Sequence, residues 1–292
     1  MVLYRRATVE DRPSVVALWQ KVFKDEPPVV ERFLDVFVGE GNQYLAQREG
    51  RTLAILSAVP CAQGSLRGSY FYALATEPAF RGQGIMAALM SYAEGACREQ
   101  GAAFSCLIPA SASLFSYYEK HGYATMKMRI VQKELERVGR EPRLRLLCLE
   151  PESFVRLRET FFRGETISFS KPRMEMVLEG VREAGGRLAV SEEAYAVYLE
   201  KQGRLLVPEI AAKSDASASG FLSALGQELG KEHGVLILPL QSTLFAAEGA
   251  AQKLAQYKWL VPGCEKTSLY LRFGLDELFE KDYENPELFR SS

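Results

Sequence analysis

A glycine-containing loop in front of a helical pattern carries the clearest chemical signal in this chain. Arg81, Gly82, Gln83 and Gly84 stand directly before apolar residues that recur at spacings of three or four from Ile85 onward. The first N–H groups of a helix have no acceptor within the helix, and the helix dipole places partial positive charge beside them. Because glycine also lets the backbone come close to a ligand, this segment predicts a binding site for a phosphate or another anion.

Two strands and a shorter helix are predicted around this loop. An apolar and aromatic run over residues 70–76 indicates a strand that leads into the loop, and residues 104–108 indicate a second buried strand. A short helix follows over residues 113–120 and ends at Gly122, a residue typical of helix ends. A strand, a glycine loop and a helix in this order are what an anion site requires.

Residues 70–123, taken together, resemble the GNAT superfamily of acyl-CoA-dependent N-acyltransferases. The family loop reads Gln/Arg-x-x-Gly-x-Gly/Ala, and Arg81, Gly84 and Met86 take its three defined places. The short helix that ends in Tyr-Glu-Lys-His-Gly-Tyr belongs to the same resemblance. Met86 departs from the usual glycine or alanine, which indicates a different fit against the phosphates or the neighbouring helix.

The resemblance implies acetyl-CoA as cosubstrate and no metal. In the family, the strand before the loop pairs with the pantetheine arm and its backbone offers a donor to the thioester oxygen, while the loop cradles the diphosphate. The residues expected to bind the cofactor are Leu74, Ala75, Thr76, Arg81, Gly82, Gln83, Gly84, Ile85, Met86, Ala87 and Ser111. Ser111 stands where many relatives have an asparagine, and it serves equally well as a helix N-cap.

Tyr118 matches the family tyrosine that acts as general acid toward the departing thiolate. A phenol has an ordinary pKa of about 10, so it is protonated at neutral pH and can give its proton to a thiolate. The alternative is a tyrosine that packs in the core or against the cofactor. Its neighbour Tyr117 is interpreted as a packing residue.

No residue is assigned as the general base. Residues 70–76 contain no carboxylate, and Glu77 is expected to be solvated. Asp25 and Glu26 fall in a connection that borders the acceptor pocket in GNAT enzymes, although residues of this kind are more often simple loop residues. His121 is interpreted as a partner of the helix dipole, and a chain of water molecules is the remaining route for the proton.

Aromatic residues predict an apolar or aromatic pocket. Tyr70, Phe71 and Tyr72 lie in the strand before the loop, and Tyr92 lies in the following helix. Because successive strand side chains point to opposite faces, about half of this set is expected in the core instead.

The rest of the chain is predicted to repeat the same plan. Residues 3–135 read as a strand, two helices, three strands, a helix, a strand, a helix and a long strand, and a charged linker follows over 136–143. The repeat includes a helix near 246–254 and paired strands at 257–261 and 268–273. The predicted class is α/β (α+β), in which helices flank a mixed sheet. A GNAT domain covers 1–137 and a degenerate GNAT-like domain covers 144–292.

The second half lacks the chemistry of the first. Residues 213–220 replace the glycine loop, contain one glycine, and place the carboxylate of Asp215 where a phosphate would bind. Repulsion between two anions at one helix end outweighs the roughly 0.3–1 kcal/mol that a helix dipole contributes. We expect this half either to cover the acceptor side of the first domain or to form a contact in a homodimer.

Composition excludes several classes of partner. The 292-residue chain has a net charge of -1, which gives no electrostatic reason to bind nucleic acid or an anionic membrane. No apolar run approaches the length of a membrane span. Five scattered cysteines, an odd number without metal spacing, argue against a disulfide scaffold and for a reducing cytoplasm.

The expected function is transfer of an acetyl group from acetyl-CoA to a primary amine of a small molecule or peptide, by direct attack in a ternary complex. The two-lobed layout also resembles aminoglycoside acetyltransferases, whose polycationic acceptors call for an acidic pocket that the near-neutral charge does not demonstrate. Two alternatives stay open. One is a tandem GNAT enzyme that uses another acyl donor, and the other is a non-catalytic acyl-CoA-binding sensor or scaffold.

Overall fold

The computed structural model describes residues 1–136, 142–163, 166–201 and 203–264. In chain order the strands are β1 Leu3–Arg6, β2 Gln43–Arg48, β3 Arg51–Gln63, β4 Leu66–Thr76, β5 Phe104–Leu107, β6 Ala124–Glu134, β7 Arg145–Leu147, β8 Ile167–Ser168, β9 Arg187–Val190, β10 Ala194–Lys201, β11 Arg204–Ala212, β12 His233–Pro239 and β13 Ala250–Trp259. The α-helices are α1 Arg12–Phe23, α2 Pro27–Phe33, α3 Ile85–Glu99, α4 Ala112–Glu119, α5 Pro151–Phe162, α6 Lys171–Glu183 and α7 Asp215–Leu229. A π-helical segment, Leu34–Val38, follows α2 directly.

Two compact units share the chain, and neither is continuous in sequence. The first contains residues 1–125 together with 168–173 and the described residues 255–264, and the second contains the remaining described residues. The first unit therefore takes two short segments from the C-terminal half of the chain.

The first unit is built on a mixed sheet. β1, β2, β3 and β4 pair antiparallel in that order, β4 pairs parallel with β5, and residues 256–259 of β13 pair antiparallel with β5. The predicted hairpin at Glu49 and Gly50 is present, and both residues have a positive φ, of 52° and 76°. That backbone conformation matches the twist of the two strands that the turn joins.

Helices cover both faces of this sheet. On one face, Leu89, Met90 and Ala93 of α3 pack with Leu56 and Phe71 in a buried apolar cluster. On the other face, α1 packs against β3 and β4. Apolar side chains at spacings of three and four on each helix form the stripe that the sheet buries.

The second unit repeats the order of elements found in the first. Apart from the two-residue strand β8 between α5 and α6, the order β7, α5, α6, β9, β10, β11, α7, β12 matches the order β1, α1, α2, β2, β3, β4, α3, β5. In this unit β6 pairs with β12, β12 pairs with β11, and β10, β9 and β7 follow. The prediction of a mixed sheet flanked by helices, followed by a second domain of the same plan, is confirmed.

The helix predicted near 246–254 is wrong, because this segment enters strand β13 at Ala250. The guanidinium of Arg129 holds the segment between β12 and β13 by donating to four of its carbonyl oxygens, of which only that of Glu248 lies within the predicted helix. Those acceptors are Ser242, Leu244, Phe245 and Glu248. Gly249 has a φ of 86°, and a Cβ atom there would lie 2.5 Å from the carbonyl oxygen of Ile130.

Some predictions fall on other parts of the chain. The strand predicted at 268–273 and residues 137–141 of the predicted linker lie outside the described residues. Within the described ranges, no helix has both the length and the apolar composition needed to cross a bilayer.

Candidate functional site

The glycine loop has the backbone geometry that its composition predicts. Gly82 and Gly84 have φ values of 74° and 73°, in the left-handed region that favours glycine, and α3 begins directly after Gly84. A Cβ atom added at either position would meet nothing within 4 Å. Glycine is therefore required here by backbone conformation, and the space beside the loop is open.

The N-terminus of α3 offers a row of unpaired donors. The first backbone bond of the helix runs from the Ala88 N–H to the Gly84 carbonyl oxygen, at 3.1 Å. Among the described residues, no group accepts a hydrogen bond from the N–H groups of Gln83, Gly84, Ile85, Met86 and Ala87. Open donors at a positive helix end suit a diphosphate.

Arg81 holds the loop to the strand before it. Its Nε atom donates to the carbonyl oxygen of Thr76 at 3.2 Å, so the end of β4 and the start of the loop are joined by one side chain. This contact fixes the conformation of the loop, and the expected contact between Arg81 and the cofactor stays a prediction.

Two cations lie beside Phe80, the residue directly before Arg81. The ring of Phe80 lies under two guanidinium groups, with Arg48 at 4.9 Å and Arg51 at 5.1 Å from its centroid. The sequence analysis missed these two arginines. The sequence signal that could have located them is the predicted hairpin turn at Glu49 and Gly50, because Arg48 and Arg51 flank that turn. The start of β3, directly after the turn, pairs with the end of β4. Positive charge beside unpaired N–H groups favours an anionic ligand.

We had expected Glu77 to be solvated, but the residue is buried, with 8% of its surface exposed. Its carboxylate lies 2.5 Å from Lys21 Nζ and 3.8 Å from Arg51 Nη2. The two cations compensate the burial of this carboxylate, and Lys21 comes from α1, which the local sequence did not place beside Glu77.

β4 contains a bulge next to the residues expected to contact the thioester. Its pairing with β3 shifts between Tyr72 and Ala75, and Ala73 between them has a φ of 50°. A non-glycine residue in the left-handed region is uncommon and costs of order 1–3 kcal/mol. The bulge leaves Ala73 and Leu74 outside the regular register, whereas Ala75 still pairs with Ile55.

The two central strands of the first unit part beyond the bulge. Pairing of β4 with β5 extends from Gly68 with Phe104 to Tyr70 with Cys106 and no further in the described residues. On the β5 side of β4, no described strand pairs beyond Tyr70, so an extended ligand can add to this edge of the sheet.

The short helix α4 lies at the end of this gap. Ser111 is its N-cap residue in extended conformation, and its Oγ atom lies 3.0 Å from Ser113 Oγ. The ring of Tyr118 is buried and packs 5.2 Å from Tyr117 and 5.9 Å from Tyr123. Burial raises the pKa of the Tyr118 phenol, with a further contribution from Tyr117. The Tyr118 hydroxyl has no hydrogen bond to any described residue.

β13 holds α4 in place from a distant part of the sequence. Gln256 is fully buried, and its Nε2 atom donates to the Phe115 carbonyl oxygen and to Thr125 Oγ1, both at 3.1 Å. Lys258 lies two residues further along the same strand, and its Nζ atom is 2.6 Å from Oε2 of Glu94 in α3. Side chains two apart on a strand share a face, so both reach the helices beside the gap.

Seven aromatic side chains form a cluster on the α1 side of β4. They are Trp19, Phe23, Phe33, Phe37, Tyr70, Tyr72 and Phe169. Phe71 and Tyr92, also predicted to line the pocket, do not join it. Phe71 points to the α3 side, and Tyr92 packs on Tyr44.

The candidate bases are arranged around this cluster and the gap. Asp25 is exposed, and its carboxylate accepts a hydrogen bond of 2.7 Å from Trp19 Nε1. Glu26 is exposed at the start of α2, and His121 packs on the Tyr117 ring at 4.7 Å. Asp25 is thus the candidate that contacts the aromatic cluster.

The corresponding helix of the second unit is closed by the chain itself. Asp215, the first residue of α7, accepts a hydrogen bond of 2.9 Å from the Phe245 N–H, and Ser214 Oγ accepts one of 3.1 Å from the Ser217 N–H. A carboxylate and a capping hydroxyl stand where the first unit has open donors, so this helix end is not suited to a phosphate.

Known proteins resemble this chain in sequence and in fold. The family model described as the acetyltransferase (GNAT) domain matches residues 3–126. A search of curated proteins finds no match to the sequence.

Solved structures share the fold over most of the chain. A conserved protein of unknown function from Enterococcus faecalis V583, described as a probable N-acyltransferase, is 14% identical, with 89% of this chain and 73% of that one covered and a TM-score of 0.71. A GCN5-related N-acetyltransferase from Kribbella flavida is 16% identical, with 89% and 71% covered and a TM-score of 0.67. A tandem GNAT protein from the clavulanic acid biosynthesis pathway is 13% identical, with 90% and 99% covered and a TM-score of 0.50. At these identities the likeness shows a common fold alone. In sequence, residues 3–126 are similar to the acetyltransferase (GNAT) domain.

Proposed function

We propose that this protein transfers an acetyl group from acetyl-CoA to a primary amine of a small molecule or peptide. The observation that carries this proposal is the row of unpaired N–H groups at residues 83–87, beside an open glycine loop and the cations Arg48, Arg51 and Arg81. A ligand that fits has two phosphate groups and an extended arm, which are the parts that the loop and the unpaired edge of β4 would bind.

The chain's residues divide the work between binding and proton transfer. The N–H groups of 83–87 bind the diphosphate, and the Leu74 and Ala75 backbone at the bulge donates to the thioester oxygen as negative charge develops there. Ser111, at the start of α4, borders the arm.

Tyr118 acts as the acid in the proposed reaction. The amine nitrogen bonds to the acetyl carbon as the carbon–sulfur bond breaks, and the sulfur takes the phenol proton. The proton released by the amine leaves through water or Asp25, and water restores the phenol. Because burial keeps the Tyr118 pKa high, the phenol holds its proton until the thiolate forms.

Replacement of Tyr118 by phenylalanine tests the role of the acid. We expect Tyr118→Phe to lower kcat about 100-fold, since a positioned acid contributes typically 10²–10⁴-fold, and to leave the Kd of acetyl-CoA within about twofold. Thiol release with an amine panel gives kcat, and calorimetry gives Kd.

Tyr117→Phe is the matched control, because its ring packs on the same helix. We expect it to keep near wild-type kcat. Equal kcat in wild type and Tyr118→Phe would remove Tyr118 from the mechanism. Tight binding of acetyl-CoA without turnover on any amine would replace the enzyme proposal with an acyl-CoA sensor.

A further inference from the structure

The aromatic cluster defined above is larger than a helix contact requires, and part of it faces outward. Trp19, Phe37 and Tyr70 are buried, whereas Phe33, Tyr72 and Phe169 are only half-buried. We propose that this cluster binds the acceptor, and that the acceptor is an amine that carries an aromatic ring. This inference rests on the proposed function and names its substrate class.

The position of Tyr72 links the cluster to the reacting strand. Tyr72 lies two residues beyond the last pair that β4 forms with β5 and one residue before the bulge at Ala73. Its ring stacks on Phe33 with centroids 4.7 Å apart and an interplanar angle of 27°. A ring bound beside Tyr72 and Phe33 would hold an attached amine near the backbone donors of the bulge.

The half-buried rings form a surface suited to a planar group. Phe33 also lies 4.7 Å from Phe37, tilted by 43°, and Trp19 lies 5.9 Å from Tyr72. Aromatic pairs prefer offset or edge-to-face geometry, and a ligand ring can extend such a set of pairs. The same ring faces attract a cationic amine before it loses its proton.

A segment from the C-terminal half completes the cluster. Phe169 lies 5.2 Å from Phe37 and 6.1 Å from Tyr70, and all three belong to the first unit. In the same segment, Arg173 donates through Nε to the Phe37 carbonyl oxygen at 2.5 Å and through Nη2 to that of Val38 at 3.0 Å. Arg173 thereby ties Phe169 to the end of the π-helical segment, a rare conformation that is frequent at functional sites.

The charges around the cluster disfavour a polycationic acceptor. On α2 and the π-helical segment, Glu31 and Asp35 are both bound by Arg12 of α1. Asp25 contacts the cluster through its hydrogen bond with Trp19. One carboxylate suits a monoamine, whereas several cationic groups on one ligand would each need a counter-charge.

Kinetic selectivity tests the inference. We expect kcat/KM for 2-phenylethylamine to exceed that for n-propylamine by about 10- to 100-fold, as burial of a ring predicts, and spermidine to be a poor acceptor. Phe169→Ala should reduce kcat/KM for 2-phenylethylamine about tenfold and leave n-propylamine and the Kd of acetyl-CoA unchanged. Phe161→Ala, which removes a half-buried ring packed on Tyr195 in the second unit, is the matched control.

Phe169→Leu keeps apolar volume without the ring, and it serves if Phe169→Ala unfolds. Binding of 2-phenylethylamine, followed by ligand-observed NMR, is a readout besides turnover. Equal kcat/KM for all three amines overturns the inference and leaves the proposed function intact. Binding of 2-phenylethylamine that Phe169→Leu weakens, without turnover on any amine, overturns the proposed function and supports the aromatic site. Absence of both binding and turnover overturns both.

Discussion

At the scale of single residues, the surroundings of Tyr118 decide which proton it can supply. Its ring is 6% exposed, and burial raises the pKa of its phenol above the ordinary value of about 10. A raised pKa means that the phenol keeps its proton to higher pH. It therefore suits an acid that acts late, and it does not suit a base at neutral pH.

The pH dependence of the rate follows from this shift. Because the protonated phenol is the active form, Tyr118 should cause no loss of rate between pH 6 and about pH 9. We expect kcat/KM to rise with pH over this interval as the acceptor amine loses its proton. Initial rates of thiol release at constant ionic strength measure the profile. A falling limb below pH 9 that Tyr118→Phe removes would contradict the assignment.

Gly84 is the residue on which the anion site depends most directly. Its φ of 73° is costly for any other residue, and the N–H groups that it orients have no described acceptor. We expect Gly84→Ala to lower the free energy of unfolding by about 1–2 kcal/mol and to weaken acetyl-CoA binding about tenfold. Thermal unfolding and calorimetry measure the two effects.

Gly41→Ala provides the control for backbone strain. Gly41 has a φ of 74°, and a Cβ atom there would also meet nothing within 4 Å. We expect a similar loss of stability with unchanged acetyl-CoA affinity. Equal affinities in the two variants would show that the Gly84 loop does not hold the ligand.

At the scale of elements, the end of β13 is the least predictable part of the candidate site. The sequence pattern assigned the strand at residues 257–261 to the second predicted domain. In the structure, residues 256–259 pair with β5 and belong to the first unit. Gln256 and Lys258 point from this strand to α4 and α3, the helices beside the gap. Strand periodicity predicts the faces of a strand but not its partner, so this contact needed the structure.

Gln256→Leu tests the element that carries Tyr118. The change leaves the Phe115 carbonyl oxygen without the donor that it has now, which should cost about 1–3 kcal/mol of unfolding free energy. We also expect a lower kcat, because Tyr118 lies in the same helix, three residues after Phe115, and its position depends on that helix. Urea unfolding and steady-state kinetics measure these effects. Gln100→Leu, at an exposed position after α3, is the control and should change the free energy of unfolding by less than about 0.5 kcal/mol. An equally small change in the free energy of unfolding of Gln256→Leu would contradict the prediction.

At the scale of the whole molecule, the first unit is not contained in the N-terminal half. Residues 168–173 supply Phe169 and Arg173, and residues 255–259 supply the strand that pairs with β5. The domain bounds 1–137 and 144–292 remain a prediction. Because residues 168–173 and 255–259 belong to the first unit, a fragment that lacks them tests this prediction.

A fragment of residues 1–137 should not fold as the full chain does. Without residues 256–259, the backbone of β5 loses its partner on one side and the ring of Phe104 loses its contact with Trp259, and without residues 168–173 the ring of Phe37 loses its contact with Phe169. An exposed strand edge favours aggregation. We expect the fragment to be aggregated or to lack cooperative unfolding, and not to bind acetyl-CoA, in size-exclusion and calorimetric measurements beside the full chain. A monomeric fragment with full-chain affinity would establish 1–137 as an autonomous domain.

Local signals in the sequence determined the glycine loop, the helix after it, the hairpin at Glu49 and Gly50, and the repeated order of elements. These features depend on residues that are neighbours in the chain, because helix starts, turns and strand alternation follow from nearby backbone preferences.

Tertiary structure alone decided which distant segments meet. The bulge at Ala73, the cations on Phe80, the Arg129 contacts and the segments at 168–173 and 255–259 all join residues that local patterns leave unrelated. A buried polar group takes whichever partner the packed chain brings within hydrogen-bond distance, and strand pairing depends on the global register. Neither choice has a period that can be read along the sequence.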